Sequence, residues 1–123
     1  LATEKAKAIA KKKGIKDPQK ADECLSCHVT AHGVSAKLIG PKFKIEDGVG
    51  CESCHGPGSA YKSKKVMTAV YKGKTDPATV GLIKPTEKTC LQCHNKKSPT
   101  FKGFDFKKMF KQIEHPVPKK AAK

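Results

Sequence analysis

Cys51-Glu52-Ser53-Cys54-His55 lies near the middle of the chain, with Gly48-Val49-Gly50 before it and Gly56-Pro57-Gly58 after it. The same pattern recurs as Cys24-Leu25-Ser26-Cys27-His28 and as Cys90-Leu91-Gln92-Cys93-His94. Together the three copies use all 6 cysteines of the 123 residues and leave none over. At this composition one chance copy is expected on the order of 0.01 times per chain, so coincidence is excluded.

The spacing has a chemical reason. Two thiols three positions apart lie on one face of a helical turn and can both add to the vinyl groups of one porphyrin. The adjacent His then turns its imidazole toward the iron as proximal ligand. The expected cofactors are three covalently attached haem c groups, bound through Cys24, Cys27, Cys51, Cys54, Cys90 and Cys93, with His28, His55 and His94 on the irons. Structural zinc and disulfides also use paired cysteines, but neither requires a His directly after every second Cys.

Composition points the same way. Only 37% of residues are hydrophobic and 6% aromatic, with no Trp, too little apolar surface to offset the entropy of folding without staples or a cofactor in the core. The formal net charge is +15, and all 26 basic residues are Lys. A nucleic-acid binder is expected to use Arg for bidentate contacts to phosphate and guanine, so nucleic acid is not an expected partner. Exposed Lys suits diffuse attraction to an acidic redox protein; the plainer alternative is a solvated face that keeps the protein in solution. No apolar run approaches a membrane span. The start at Leu1 rather than Met fits removal of an export signal, although trimming would look the same. The expected location is periplasmic or extracellular.

A single domain over residues 1–123 is expected, mainly α with extensive loops and little or no β, wrapped around three closely packed haems. Residues 1–16 are lysine-rich, with a helix over 2–13 that ends at Gly14. Asp17-Pro18 reads as a cap and first helical position, predicting a helix from Pro18 into the first motif. Residues 35–50 read as a loop or short hairpin. Ser59 can cap a helix to about Lys72 with Val66, Met67 and Val70 inward, and Thr86 a short helix carrying Cys90 and Cys93. The last helix runs from Asp105 to about Glu114, with Phe106, Met109, Phe110 and Ile113 on one face, and His115-Pro116 ends it. Residues 118–123 read as a flexible tail.

The stretch Gly48–Gly58, Gly48 itself excepted, resembles the cytochrome c-554 family closely. His28-Val29-Thr30 and the segment from Phe104 to His115 are similar to it too, and the likeness runs from about Lys5 to His115. It implies a mainly helical chain around closely stacked haems, in an electron carrier rather than an enzyme. The family pattern has a further haem motif at its N-terminus, so the three haems here would correspond to its second, third and fourth. The family also has a His shortly after Gly-Pro-Gly, where this chain has Tyr61 and Lys62.

Three irons have six axial positions, and beyond the proximal histidines only His32 and His115 remain. His115 matches a family position that resembles a distal ligand. His32 is four residues after His28, so on a continuing helix it would share His28's side and could not reach the opposite face of the first haem; it would serve another haem, another chain, or nothing. Met67 and Met109 sit among apolar neighbours and read as packing. One position lacks a His in any case, expected at the first haem, whose family counterpart resembles a five-coordinate site. Two alternatives follow from that deficit: self-assembly into a cytochrome polymer through inter-chain haem ligation, and small-ligand chemistry of the nitric oxide type at a five-coordinate haem.

Overall fold

The computed structural model describes residues 1–117; the expected flexible tail lies outside the described residues. Among the described residues six short helices follow one another: α1 Glu4–Lys12, α2 Asp22–His28, α3 Glu52–His55, α4 Lys64–Tyr71, α5 Glu87–Leu91 and α6 Phe106–Ile113. Single 3-10 turns occur at Ala36–Leu38, Ile45–Asp47 and Pro77–Val80, and among the described residues there is no strand. The mainly α, loop-rich class read from the sequence is the class observed.

Local chemistry explains most boundaries. The Thr3 hydroxyl accepts from the Ala6 amide at 3.2 Å to start α1, and Asp105 accepts from the Lys108 amide at 3.1 Å to start α6. Thr86 heads α5, its amide donating to the Thr89 hydroxyl at 3.1 Å.

Two expected starts move. Asp17 closes only a turn, accepting from the Gln19 amide at 2.9 Å, and α2 begins five residues later, after an extended Ala21 with no side-chain cap. Ser59 does not cap α4. Residues 59–62 instead fold into a turn held by the Tyr61 and Lys62 amides on the Gly58 carbonyl, and Ser63 caps the helix by accepting from the Val66 amide at 3.3 Å. Met67 of α4 is 42% exposed rather than inward. The 35–50 segment is a loop with two tight turns, not a hairpin.

The polypeptide's own core is slight. Among the described residues the buried apolar side chains are Ala10, Pro18, Leu25, Val29 and Tyr61, and none is completely enclosed. Leu25 is inside the first motif and Val29 directly follows it, so burial concentrates around the attachment segments rather than between helices.

Candidate haem-binding site

Each motif lies at the end of a short helix: Cys24, Cys27 and His28 on α2, Cys54 and His55 on α3 with Cys51 as its cap, and Cys90 on α5 with Cys93 and His94 just beyond. All six cysteines are unpaired in the fold, so each is available for thioether formation. Among the described residues no three His, Cys, Asp or Glu side chains converge as a structural zinc would need.

The three motifs nonetheless meet. Burial pushes the Cys93 thiol up to about 11, helped by the nearby Cys27, which also hydrogen-bonds to it, and by Cys54. Burial likewise raises Cys90, with Cys54 and then Glu87 adding to the effect. Cys27 and Cys54 therefore lie near Cys93, so the three attachment segments come close to one another.

The second motif is the hub. Thr30, just after the first motif, accepts at its hydroxyl from the Gly50 amide at 2.6 Å and pairs with the Ser53 hydroxyl at 2.7 Å, while its own amide donates to the Gly48 carbonyl at 2.9 Å. On the other side Ile83, three residues ahead of the Thr86 cap, donates its amide to the His55 carbonyl at 3.0 Å. Its carbonyl lies 3.0 Å from His55 Nδ1. That contact makes Nδ1 the protonated nitrogen and leaves Nε2 for a metal, the usual way a ligating imidazole is oriented.

The loop after His55 is clamped twice. The Glu52 carboxylate accepts from the Gly58 amide at 2.5 Å, and the Tyr61 hydroxyl donates to the Gly56 carbonyl at 2.5 Å. Tyr61 is 7% exposed, and its phenol is raised by burial, then by Glu52 and Cys51. Gly56 has φ +79, and a β-carbon there would lie 2.8 Å from the Gly81 carbonyl oxygen. The loop after His55 therefore packs backbone to backbone against Gly81, which a side chain at position 56 would not allow.

The two non-motif histidines have different surroundings. The His115 ring centroid is 5.9 Å from that of His55, the planes inclined at 59°. Two imidazoles on opposite faces of one iron, each bonded at about 2 Å, place their centroids roughly 6 Å apart. His94 is stacked on Phe104 at 5.0 Å.

His32 does not continue the first motif's helix, because α2 ends at His28 and Val29 is extended, with Ala31 at φ 60. The premise that it shares a helical face with His28 therefore fails. Its Nε2 instead lies 3.2 Å from Asp22 Oδ1, at the opposite end of α2 from His28. Met109, like Met67, is 42% exposed. Thr30 and Phe104 stood in family-like stretches without a stated role, and Ile83 carried no sequence signal at all. Their roles arise from contacts across 10 to 28 residues of chain.

Comparison with known proteins agrees with this geometry. The family model described as cytochrome c554 and c-prime matches residues 1–56. A curated relative, cytochrome c-554 of Nitrosomonas europaea, is 36% identical over 108 residues, covering 80% of this chain and 46% of the relative. The chain thus spans about half the length of the curated relative it matches. No solved structure matches it. With three attachment motifs close together and this likeness along most of its length, the chain is similar to the cytochrome c-554 family.

Proposed function

We propose that the chain is an exported electron-transfer protein carrying three covalent haem c groups and exchanging electrons with acidic redox proteins. The carrying observation is the His55–His115 pair, whose 5.9 Å centroid separation suits two axial ligands of one iron. In this reading Cys51, Cys54 and His55 hold the second haem with His115 as its distal ligand. Cys24, Cys27 and His28 hold the first, and Cys90, Cys93 and His94 the third. When bound, haem iron supplies one-electron chemistry between ferric and ferrous states.

The residues do the rest. The Ile83 carbonyl sets the tautomer and plane of His55, and Thr30 ties the first attachment segment to the second, which would hold the haems attached there at a fixed separation. With both His55 and His115 as ligands, the second haem would have no open position for a substrate, which favours a carrier over an enzyme there. Export rests on the family. No helix among the described residues is long and apolar enough to cross a membrane.

His32 is the candidate ligand with least support. Its Nε2 faces Asp22, and iron binding within or between chains would break that contact. The first haem then has His28 alone from this chain.

Intact-mass analysis is expected to show three haems on the polypeptide, and two after Cys51 and Cys54 are changed to Ala. Magnetic resonance of the oxidised, dilute protein is expected to show a high-spin minority from the first haem. His115→Ala should add one further high-spin iron that binds carbon monoxide. A bare polypeptide mass would end the cytochrome reading; an unchanged spectrum in His115→Ala would remove His115 from the coordination shell.

A further inference from the structure

Helix α1 turns Lys5, Ile9, Lys12 and Lys13 to one side, facing Pro99 and Thr100, and an open groove of about 410 Å³ lies between them. The spacing of these four positions is that of a single helical stripe. Behind it Ala10, 3% exposed, anchors the helix. The facing wall is not an arbitrary loop: it joins His94 to Phe104, whose rings stack at 5.0 Å. The groove therefore borders the loop that directly follows the third attachment site.

Its charge is uncompensated. Residues 1–16 hold six lysines against the single Glu4, and Glu4 is taken by Lys7 at 2.7 Å. The other ion pairs of the described residues, Lys20–Asp17 and His32–Asp22, involve no groove residue. Lys96, Lys97 and Lys102 extend the same charge along the facing loop. An apolar floor of Ile9 and Pro99 within a lysine rim has the centre-and-rim build of a protein interface.

We infer that this groove is the docking face for an acidic redox protein, and that electrons cross to this chain at the third motif. The inference rests on the haem reading above. One electron leaves the reduced partner, which is oxidised by one, and the iron at His94 passes from ferric to ferrous; no bond breaks and no proton need move. A rim of lysines without Arg attracts a carboxylate surface through space rather than by bidentate pairing, so it speeds encounter without making a long-lived complex. That suits a carrier that must release its partner.

The test uses the holoprotein and a reduced plant-type ferredoxin, an acidic one-electron donor, in stopped flow at low and high salt. Lys5→Glu/Lys12→Glu/Lys13→Glu is compared with Lys37→Glu/Lys42→Glu/Lys44→Glu, which changes net charge equally but lies outside the groove. The groove variant is expected to lose tenfold or more in second-order rate at low salt and most of its salt dependence, while the second variant stays within threefold of the parent. Haem content and the dithionite-reduced spectrum are expected to be unchanged in both, and a parent without haem absorption would fail the earlier reading, not this one. Equal losses in the two variants, or none in either, would overturn the docking face in favour of diffuse net charge. Loss of binding to phosphatidylglycerol vesicles in the groove variant with an unchanged ferredoxin rate would overturn it in favour of a lipid surface.

Discussion

Gly56→Ala probes the clamp on the second motif most directly. At φ +79 and ψ 172 the backbone occupies a region essentially confined to Gly, and another residue there costs about 1–3 kcal/mol. A β-carbon would lie 2.8 Å from the Gly81 carbonyl oxygen and 3.7 Å from Ile83 Cγ1. That oxygen belongs to backbone, so relief requires moving the segment whose Ile83 makes both 3.0 Å contacts to His55. Each contact contributes about 1 kcal/mol net, which brings the expected loss to about 3–5 kcal/mol. Total stabilities are about 5–15 kcal/mol, so the effect is large. Two controls separate the causes. Gly73→Ala has φ +70 with nothing within 4 Å of the added carbon, and isolates the left-handed penalty of about 1–2 kcal/mol. In Gly58→Ala the carbon meets Glu52 Oε1 at 2.8 Å, a movable side-chain end, for about 1–2 kcal/mol through its hydrogen bond. Guanidinium unfolding of the holoprotein, followed by haem absorption and far-UV circular dichroism, gives the three losses at constant m. If Gly56→Ala costs no more than Gly73→Ala, the close approach to Gly81 does not hold the motif in place.

Three further outcomes follow from the supports. Thr30→Val removes the acceptor of the Gly50 amide and the partner of Ser53; a loss of about 1–2 kcal/mol is expected by denaturant titration, and Thr30→Ser should recover most of it. Asp105→Ala deletes the cap of the eight-residue α6, costing about 1 kcal/mol, and since so short a helix frays as a unit, heating should raise the high-spin fraction through His115 earlier than in the parent. Tyr61 has its phenol raised in the fold, so its contribution is complete below pH 10 and is lost as pH rises through the higher folded value. Tyr61→Phe should therefore show a flatter alkaline limb of stability above about pH 10, and an identical limb in both proteins would contradict its burial as the neutral phenol.

The cysteine-histidine spacing alone decided the most about this protein, because it is dictated by the porphyrin's vinyl groups and iron and not by the surrounding fold. Caps such as Asp105 and Thr86 were equally legible, since a cap acts within three or four residues. The boundaries that failed did so where a local signal had a local competitor: Asp17 closed a turn rather than a helix, and Ser59 gave way to Ser63 once Tyr61 had been drawn onto the Gly56 carbonyl. Tyr61 and Lys62 marked only a departure from the family in the sequence; the structure makes the first of them the buried clamp beside His55. His32 could be judged by helical spacing only on the premise that α2 continued, and the extended Val29 removed that premise. Tertiary structure alone decided that His115 comes within 5.9 Å of His55, that Ile83 orients His55, and that Thr30 joins the first two motifs. These contacts connect residues 20 to 60 positions apart, and such pairings are chosen by how the whole chain closes around its centre, which no periodicity or spacing records.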